Sequence, residues 1–387
     1  MTSTLVVGAG ILGLSVAAQL ARGGARVTVV DSRHPGAGAT STSFAWVNSS
    51  QKLPPPYYRL NLEGMAEHAR LAGERAPWLR RTGHLWWARP GVEQQHLDAV
   101  RTEMADQGYP VEVVDRRQAL ELEPNLVLPE DVESVTSFPS EAHCFPMLLL
   151  AHYLHELRRH GGVIEHPRTA TRLEPSADGA RVTFADGTSE IADTVVVCAG
   201  VGTEELLATA GARIPLQPYT GPGSSPVSFL ATTSPVPTSV DRVLTTPFLN
   251  IRPHGGGRLL LQAPPLDVRA DPHDVPSIDG EIAQELLDRL HASLTDTRAA
   301  RLESLVVGWR VIPADRQTVA GFVDADRSVY VLATHSGVTL SPLLGRLVRE
   351  EVLDGVEPDI LAPFRPARFA DGAELPDPWV VRQQGVQ

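Results

Sequence analysis

The chain of 387 residues is 42% hydrophobic and 21% charged, and its 34 basic and 46 acidic side chains give a formal net charge of −12. This length accommodates two domains, and the composition is typical of a globular protein. Nucleic acid requires a basic face, so we expect no nucleic acid partner. Cys144 and Cys198 are too few for a disulfide framework or a metal cage, which predicts no metal site and a reducing, cytoplasmic location.

The first residues of the chain carry no targeting pattern. The apolar run at residues 5–7 follows no basic region and is soon broken by glycines, so it is neither a signal peptide nor a membrane span. No other run approaches ~20 apolar residues. We therefore expect a soluble protein that does not enter a membrane.

The first predicted elements are a strand at residues 5–7 and a helix over residues 12–22, joined by a GxGxxG turn. In this motif Gly8 permits the tight turn and Gly10 lets a pyrophosphate approach the backbone. Gly13 allows the helix to pack closely on the strand. The N-terminus of the helix presents free N–H groups and the positive end of its dipole to phosphates.

A second strand over residues 26–30 ends at Asp31, which is placed to accept hydrogen bonds from ribose hydroxyls. Strand, turn, helix, strand and acid follow one another at the spacing that a dinucleotide site requires. This unit predicts a bound dinucleotide and leaves FAD and NAD as alternatives. A loop of small and hydroxyl side chains follows at residues 36–43, where the backbone can approach a flat ligand.

Later segments complete an α/β pattern. In chain order we predict a helix over residues 147–159, a strand over 163–165, a β-hairpin over 180–191, a strand from 194 that ends in Ala199-Gly200, a strand over 328–333 and a helix over 341–353. Other marked segments are the helix after Tyr57, Gly83-His84-Leu85-Trp86, Leu122-Glu123-Pro124, Pro146 before its helix, Trp309-Arg310, residues 315–321, Ser336-Gly337 and residues 363–369.

In this order the segments resemble the D-amino-acid oxidase superfamily of flavoproteins, which includes glycine oxidase and sarcosine oxidase. The resemblance covers nearly the whole chain. It implies α/β plus α+β architecture: a Rossmann-type FAD-binding domain (1–80, 140–210 and 305–370) interleaved with a substrate domain (81–139 and 211–304) on a mainly antiparallel sheet. Short β-type runs and prolines in residues 211–280 independently favour an antiparallel sheet. Residues 371–387 are expected to be a loosely held tail.

The resemblance makes FAD the cofactor. The predicted FAD contacts are Gly8, Gly10, Ile11, Gly13, Asp31, Ser32, Ala39, Thr40, Ser41, Ala199, Gly200, Ser336, Gly337, Val338 and Thr339. Some sarcosine oxidase relatives tether FAD through a cysteine near the segment that matches Arg310. Neither Cys144 nor Cys198 lies there, so we expect noncovalent FAD.

Family members take a hydride from the carbon beside an amine, pass it to the flavin and release an imine. The partners implied are a small amine or amino acid and an electron acceptor, either oxygen or another molecule. Such a substrate needs a carboxylate clamp more than a base, because the cofactor carries the hard chemistry. Arg310, five residues before Asp315, matches the family's clamp, and its guanidinium suits a carboxylate. The alternative is a structural ion pair with Asp315; Pro313 also lies two positions later than the family's usual proline.

The other catalytic candidates are His335, Asn48 and Lys52. His335 follows a strand beside the turn that the family places near the flavin, and a purely structural histidine is the alternative. Asn48 and Lys52 are candidates to contact the substrate or help oxygen, with Trp46 as a wall. The prolines at 54–56 indicate a surface turn and favour a solvated Lys52. Arg252 and Gln262 lie on predicted strands of the substrate domain, where either can face the pocket or not.

Two other functions share the first turn. An NAD(P)H-dependent flavin monooxygenase usually has a Gly-Asp-Ala segment before a late helix, whereas this chain has Thr334-His335-Ser336-Gly337 there. A noncatalytic flavin-binding protein has no need of Arg310 or of a full substrate domain. A plain NAD dehydrogenase is disfavoured by the loop at 36–43 and by the C-terminal strand, turn and helix.

Overall fold

The computed structural model of the protein describes residues 2–370, so the predicted tail at 371–387 lies outside the described residues. Its helices are α1 (Ile11–Arg22), α2 (Pro55–Ala72), α3 (Val92–Asp106), α4 (Arg116–Leu122), α5 (Pro146–Arg159), α6 (Thr203–Ala208), α7 (Glu281–Ser293) and α8 (Gly337–Leu353). No helix in this part of the chain has the length and apolar character that crossing a bilayer takes.

The strands of residues 2–370 fall into four sheets. They are β1 (Ser3–Val7), β2 (Arg26–Val30), β3 (Trp46–Val47), β4 (Leu79–Arg80), β5 (His84–Trp86), β6 (Glu112–Asp115), β7 (Ser134–Phe138), β8 (Ala142–Cys144), β9 (Val163–Glu165), β10 (Ala170–Ser176), β11 (Gly179–Phe184), β12 (Ser189–Ala192), β13 (Thr194–Val197), β14 (Val227–Thr233), β15 (Val243–Thr245), β16 (Asn250–Gly255), β17 (Arg258–Gln262), β18 (Leu302–Trp309), β19 (Val319–Phe322) and β20 (Val329–Ala333).

The first large sheet has the strand order β19-β20-β13-β1-β2-β9 and is parallel except for β19. Its central strands are β-branched and buried, as parallel strands covered on both faces must be. Helices α1, α5 and α8 pack together over this sheet in one apolar core. This is the expected Rossmann-type unit, and the GxGxxG turn lies at the carboxyl end of β1.

The second large sheet has the order β18-β14-β17-β16-β15-β5-β7-β6. Every pair in it is antiparallel except β15 with β5, so the sheet is mainly antiparallel as expected. Its strands come from residues 84–138 and 227–309, which interrupt the segments of the first sheet. The expected domain boundary between residues 304 and 305 falls inside β18, whose whole length pairs with β14.

Helix α8 begins at Gly337, four residues before the predicted start at 341. The prediction stopped there because Pro342 has no N–H and normally ends a helix. In the structure, the carbonyl of Val338, which Pro342 cannot bond, accepts hydrogen bonds from His68 Nε2 at 2.7 Å and Ser341 Oγ at 3.2 Å. The helix therefore passes through the proline because a side chain from α2 satisfies its free carbonyl.

Pro54 and Pro55 are exposed, as the predicted surface turn at residues 54–56 requires, but residues 55 and 56 are helical and do not form a turn. Pro54 precedes α2, and Pro55 and Pro56 form its first turn. Proline is tolerated there because the first N–H groups of a helix have no partner within the helix. Leu53, Pro54 and Pro55 are exposed, whereas Lys52 directly before them is buried.

Candidate active site

A cavity of about 720 Å³ runs between the two large sheets. One end is formed by the GxGxxG turn, Asp31 and the loop that follows β2. The other end is formed by the residues after β3, the end of β18 and the turn before α8. Its lining therefore contains segments that are more than 300 residues apart in sequence but adjacent in space.

Gly8 and Gly13 occupy positions that no residue with a Cβ fits. Gly8 has a φ of +111°, and a Cβ there would lie 2.2 Å from the carbonyl oxygen of Cys198. A Cβ on Gly13 would lie 1.9 Å from the carbonyl oxygen of Gly8. Gly13 thus allows α1 to pack on the turn, as its place in the motif predicts.

Asp31 organises this end of the cavity. Its carboxylate accepts hydrogen bonds from the backbone N–H of Ala9 at 2.7 Å and of Arg33 at 2.8 Å. Thr40 Oγ1 accepts a bond from the N–H of Ile11 at 3.0 Å. A carboxylate has about four acceptor positions, so Asp31 keeps capacity for a ligand hydroxyl.

Most of the predicted FAD contacts line the cavity. They are Gly8, Gly10, Ile11, Asp31, Ser32, Ala39, Thr40, Ala199, Gly200, Ser336, Gly337, Val338 and Thr339. Gly13 and Ser41 do not: Gly13 lies beneath the turn, and Ser41 donates its hydroxyl to the carbonyl of Gly38 at 3.1 Å. Residues 168–171, which sequence reasoning missed, also line the cavity.

FAD fits the residues of this cavity. The glycine turn leaves room for a pyrophosphate at one end. Helices α1 and α8 both begin at the cavity. Gly10 has no side chain to cap α1, and the side chain of Ser336 does not cap α8. Free N–H groups and two positive helix ends therefore face the ligand. Ser336 Oγ instead accepts the hydroxyl of Tyr57 at 2.7 Å, which fixes the turn before α8.

Arg310 follows the last residue of β18 and lines the second end of the cavity. Its N–H donates to the carbonyl of Pro226 at 2.7 Å, and its Nη2 donates to the carbonyl of Ser225 at 2.5 Å. The carboxylate of Asp315 is bound by Arg368 at 2.6 and 3.2 Å. The carbonyl groups of Ser225 and Pro226 thus hold Arg310 in a fixed position at the cavity.

His335 lies at the same end of the cavity. Burial, and then the positive charges of Lys52 and Arg310, hold the pKa of its imidazole well below the usual value of 6.5. The imidazole is therefore neutral at physiological pH. This shared electrostatic influence also places Lys52 and Arg310 near the same histidine.

Lys52 is buried, with 5% of its surface exposed, and its side chain lines the cavity. The expectation of a solvated charge is wrong because Lys52 itself is buried and lines the cavity, although Leu53, Pro54 and Pro55 directly after it are exposed. Burial lowers the pKa of the Lys52 amine from 10.5 to about 8, and the negative charge of Glu141 opposes this shift.

Glu141 is a fully buried carboxylate behind the cavity wall that sequence reasoning missed. It accepts hydrogen bonds from Trp46 Nε1 at 2.7 Å and from the hydroxyl of Tyr109 at 3.2 Å, and His84 Nδ1 lies 3.3 Å from it. Trp46 lines the cavity because β3 pairs with β8, which follows Glu141 directly. The tight turn at Pro139–Ser140 gave no sign in the sequence that its acid points inward.

Three further candidates separate into one that faces the cavity and two that do not. Gln262 lines it. Asn48 is buried and donates to Ser50 Oγ at 3.1 Å, outside the cavity lining. Arg252 is buried and donates to the carbonyls of Phe44 and Pro253, so it braces the loop before β3.

The fold and the cavity define a flavin-dependent oxidoreductase. The chain matches the family model described as FAD dependent oxidoreductase over residues 3–351, and it therefore belongs to this family. The family uses FAD, in agreement with the predicted cofactor.

Individual relatives are distant but align over almost their full length. Glycine oxidase from Bacillus licheniformis is 24% identical over 366 residues, which cover 90% of this chain and 92% of the relative. An opine oxidase subunit from Agrobacterium tumefaciens (strain Ach5) is 24% identical, with coverage of 94% and 96%. The crystal structure of glycine oxidase from Geobacillus kaustophilus superposes with a TM-score of 0.81 at 23% identity, covering 95% of this chain and 99% of that one.

Proposed function

We propose that the protein oxidises an amine that bears a carboxylate, removing a hydride from the carbon beside the nitrogen and releasing an imine that water hydrolyses. The observation that carries this proposal is that Arg310 lines the same cavity as the glycine turn and lies close enough to His335 to lower its pKa. When bound, FAD supplies the hydride acceptor. The chain's own residues then have to hold the substrate, keep its nitrogen deprotonated and orient the reacting C–H bond.

Arg310 binds the substrate carboxylate in this proposal. A guanidinium has five N–H donors in a planar fork, and a carboxylate takes two of them in parallel. The bonds of Arg310 to Ser225 and Pro226 fix the group before the substrate arrives. A preorganised clamp holds the reacting carbon in one place, which is the main way a protein accelerates a reaction whose chemistry belongs to the cofactor.

His335 and Trp46 complete the substrate end. A neutral imidazole adds no charge beside the two cations and can accept or donate one hydrogen bond. The indole of Trp46 forms an apolar wall that Glu141 holds by its N–H. The relatives support the substrate class, since two are named for glycine and opine oxidation.

The test is anaerobic mixing of the flavin-loaded protein with a panel of amines, with and without carboxylates. We expect the visible flavin band to bleach with at least one carboxylate-bearing amine and to respond weakly to the matching decarboxylated amine. Bleaching by NAD(P)H and by no amine would instead favour the monooxygenase alternative. Bleaching by neither reductant would favour a noncatalytic flavin-binding protein.

Oxygen as the electron acceptor, noncovalent attachment of FAD and a cytoplasmic location remain predictions. Admitting air after the bleaching tests the first: fast recovery of colour with peroxide formation identifies oxygen. Denaturation in acid tests the second, since noncovalent flavin stays in the supernatant. The two buried free thiols, Cys144 and Cys198, support a reducing compartment.

A further inference from the structure

Lys52 is the only lysine of the chain: of the 34 basic residues, the other 33 are arginines. This single lysine is buried and lines the cavity. Arginine keeps its charge at every physiological pH, whereas a buried lysine amine can give up and take up a proton. Among the lysine and arginine side chains of the chain, the one that can exchange a proton near physiological pH therefore lines this cavity.

The ammonium of Lys52 is in no ion pair with another part of the described chain. Within residues 2–370 its ammonium has no carboxylate within the 4.0 Å of an ion pair. Glu141 attracts it from further away, and the carboxylate oxygens of Glu141 already bind Trp46 and Tyr109. His335 and, beyond it, Arg310 face the same space. Buried charges are normally paired, so an unpaired ammonium here readily loses its proton.

His335 and Arg310, the neighbouring nitrogen groups, do not share the ability of Lys52 to exchange a proton near physiological pH. His335 keeps a neutral imidazole because burial and two nearby cations oppose its protonation. Arg310 stays charged. Lys52 is the group of the three whose pKa, at about 8, lies near physiological pH. A group with a pKa near the working pH is the effective one in proton transfer.

We propose that Lys52 accepts the proton of the substrate ammonium, so that the freed nitrogen lone pair can drive the oxidation. This inference rests on the proposed function and adds a proton acceptor to it. The neutral Nζ of Lys52 takes one proton, giving a Lys52 ammonium and a neutral substrate amine. The α-hydrogen then leaves with its electron pair to the flavin, which is reduced, and the C–N bond becomes an iminium. Glu141 stabilises the positive charge gained by Lys52.

The first test measures the pH profile of anaerobic flavin reduction in the wild type and in the variants Lys52→Met and Lys52→Arg. We expect the second-order rate constant near neutral pH to fall about 100-fold or more in both variants. Arginine keeps the positive charge but cannot accept a proton, so Lys52→Arg should not recover the rate of flavin reduction. Full activity in Lys52→Arg, or an unchanged rate in Lys52→Met, would overturn the proposal.

A second test uses Lys52→Ala with ethylamine added to the buffer, and the visible spectrum confirms that FAD is bound. Rescue that rises with pH, in proportion to the neutral form of ethylamine, supports a proton acceptor. Rescue in proportion to the ammonium form would mean that only the positive charge matters, and it would overturn the proposal.

The third test does not depend on turnover. Because the chain has one lysine, lysine labelled with ¹³C at the ε carbon gives a single side-chain NMR signal in the holoenzyme. We expect its titration midpoint at about pH 8, and a midpoint at the ordinary 10.5 would contradict the proposal. If no amine reduces the wild-type protein, the proposed function fails; if amines reduce it and the Lys52 variants are reduced at the wild-type rate, only the role of Lys52 fails.

Discussion

The two ends of the cavity are built in different ways. The nucleotide end comes from 27 consecutive positions, Leu5 to Asp31, and acts mainly through its backbone: glycines without Cβ atoms, a helix N-terminus and a carboxylate that holds two N–H groups. The substrate end is assembled from Trp46 and Lys52, Glu141, Arg310 and His335, and it acts through side chains.

This difference predicts that substitutions at the two ends have different effects. A backbone cradle tolerates no added atom, so substitution there removes the cofactor or the fold. Side chains at the substrate end are set by burial and by neighbouring charges, so substitution there should change rates and pKa values with FAD retained. The following predictions test that division.

The largest effect is expected for Gly13→Ala. The added Cβ would lie 1.9 Å from the carbonyl oxygen of Gly8 and 3.4 Å from the Cβ of Cys198, which leaves little room to relax. We expect a loss of about 4 kcal/mol or more in stability and protein that is purified without flavin. The control is Arg22→Ala, at the exposed last position of the same helix and outside the cavity lining. Normal flavin content in Gly13→Ala would contradict the cradle.

Arg310→Met should leave the flavin spectrum and thermal stability nearly unchanged and lower kcat/KM for carboxylate-bearing amines by about 100-fold, or about 3 kcal/mol. The loss should be much smaller for an amine without a carboxylate, which is the specific signature of a clamp. Arg117→Met, at an exposed ion pair on α4, is the matched control. Equal losses for both kinds of amine would refute the assignment.

Glu141→Gln should lower the pKa of Lys52 and leave Trp46 in place as the cavity wall. The amide keeps an acceptor for Trp46 Nε1 but loses the negative charge that raises the pKa of Lys52. The NMR titration midpoint of Lys52 should therefore move below its wild-type value, so that more of the amine is neutral at pH 7. Exposed Glu121→Gln is the control. A midpoint that stays or rises would show that Glu141 does not act on Lys52.

The smallest effect concerns the acid stability of the region that carries α8. Burial lowers the pKa of His68 from 6.5 to about 4 in the folded protein, while its N–H binds the carbonyl of Val338. The unfolded chain takes up the proton first as the pH falls, so this stabilisation is present above pH 6.5 and is lost progressively toward pH 4. It amounts to at most about 3 kcal/mol.

The measurement is urea unfolding of the wild type and of His68→Gln between pH 7 and pH 4. The variant should be less stable at pH 7 and should lose stability less steeply on acidification. Other histidines with lowered pKa values, such as the buried His143 and the partly buried His254, leave part of the slope in place. His155→Gln, at an exposed position of α5, is the control. Identical slopes would show that His68 is not the titrating group.

Sequence and structure agree best where the pattern is local. The spacing of Gly8, Gly10, Gly13 and Asp31 predicted the first βαβ unit. Short β-type runs predicted β1, β2, β9, β13 and β20 of the first large sheet and an antiparallel sheet within residues 211–280, whereas β6, β7, β18 and β19 were not predicted. These patterns are readable because helix and strand periodicity involves residues within a few positions of one another. The start of α8 was misplaced because the partner that makes Pro342 tolerable, His68, is 270 positions from Val338.

The sequence by itself determined the nucleotide end: which residues form it, in what order, and that a dinucleotide binds there. The sequence also contains a feature that the sequence-based prediction did not use: Lys52 is the only lysine. Only the tertiary structure decided that Lys52 is buried, that Glu141 stands behind Trp46 from 95 positions away, and that Asn48 and Arg252 do not face the cavity. The physical reason is that burial and charge are properties of surroundings, and these surroundings come from strands and turns far apart in the chain.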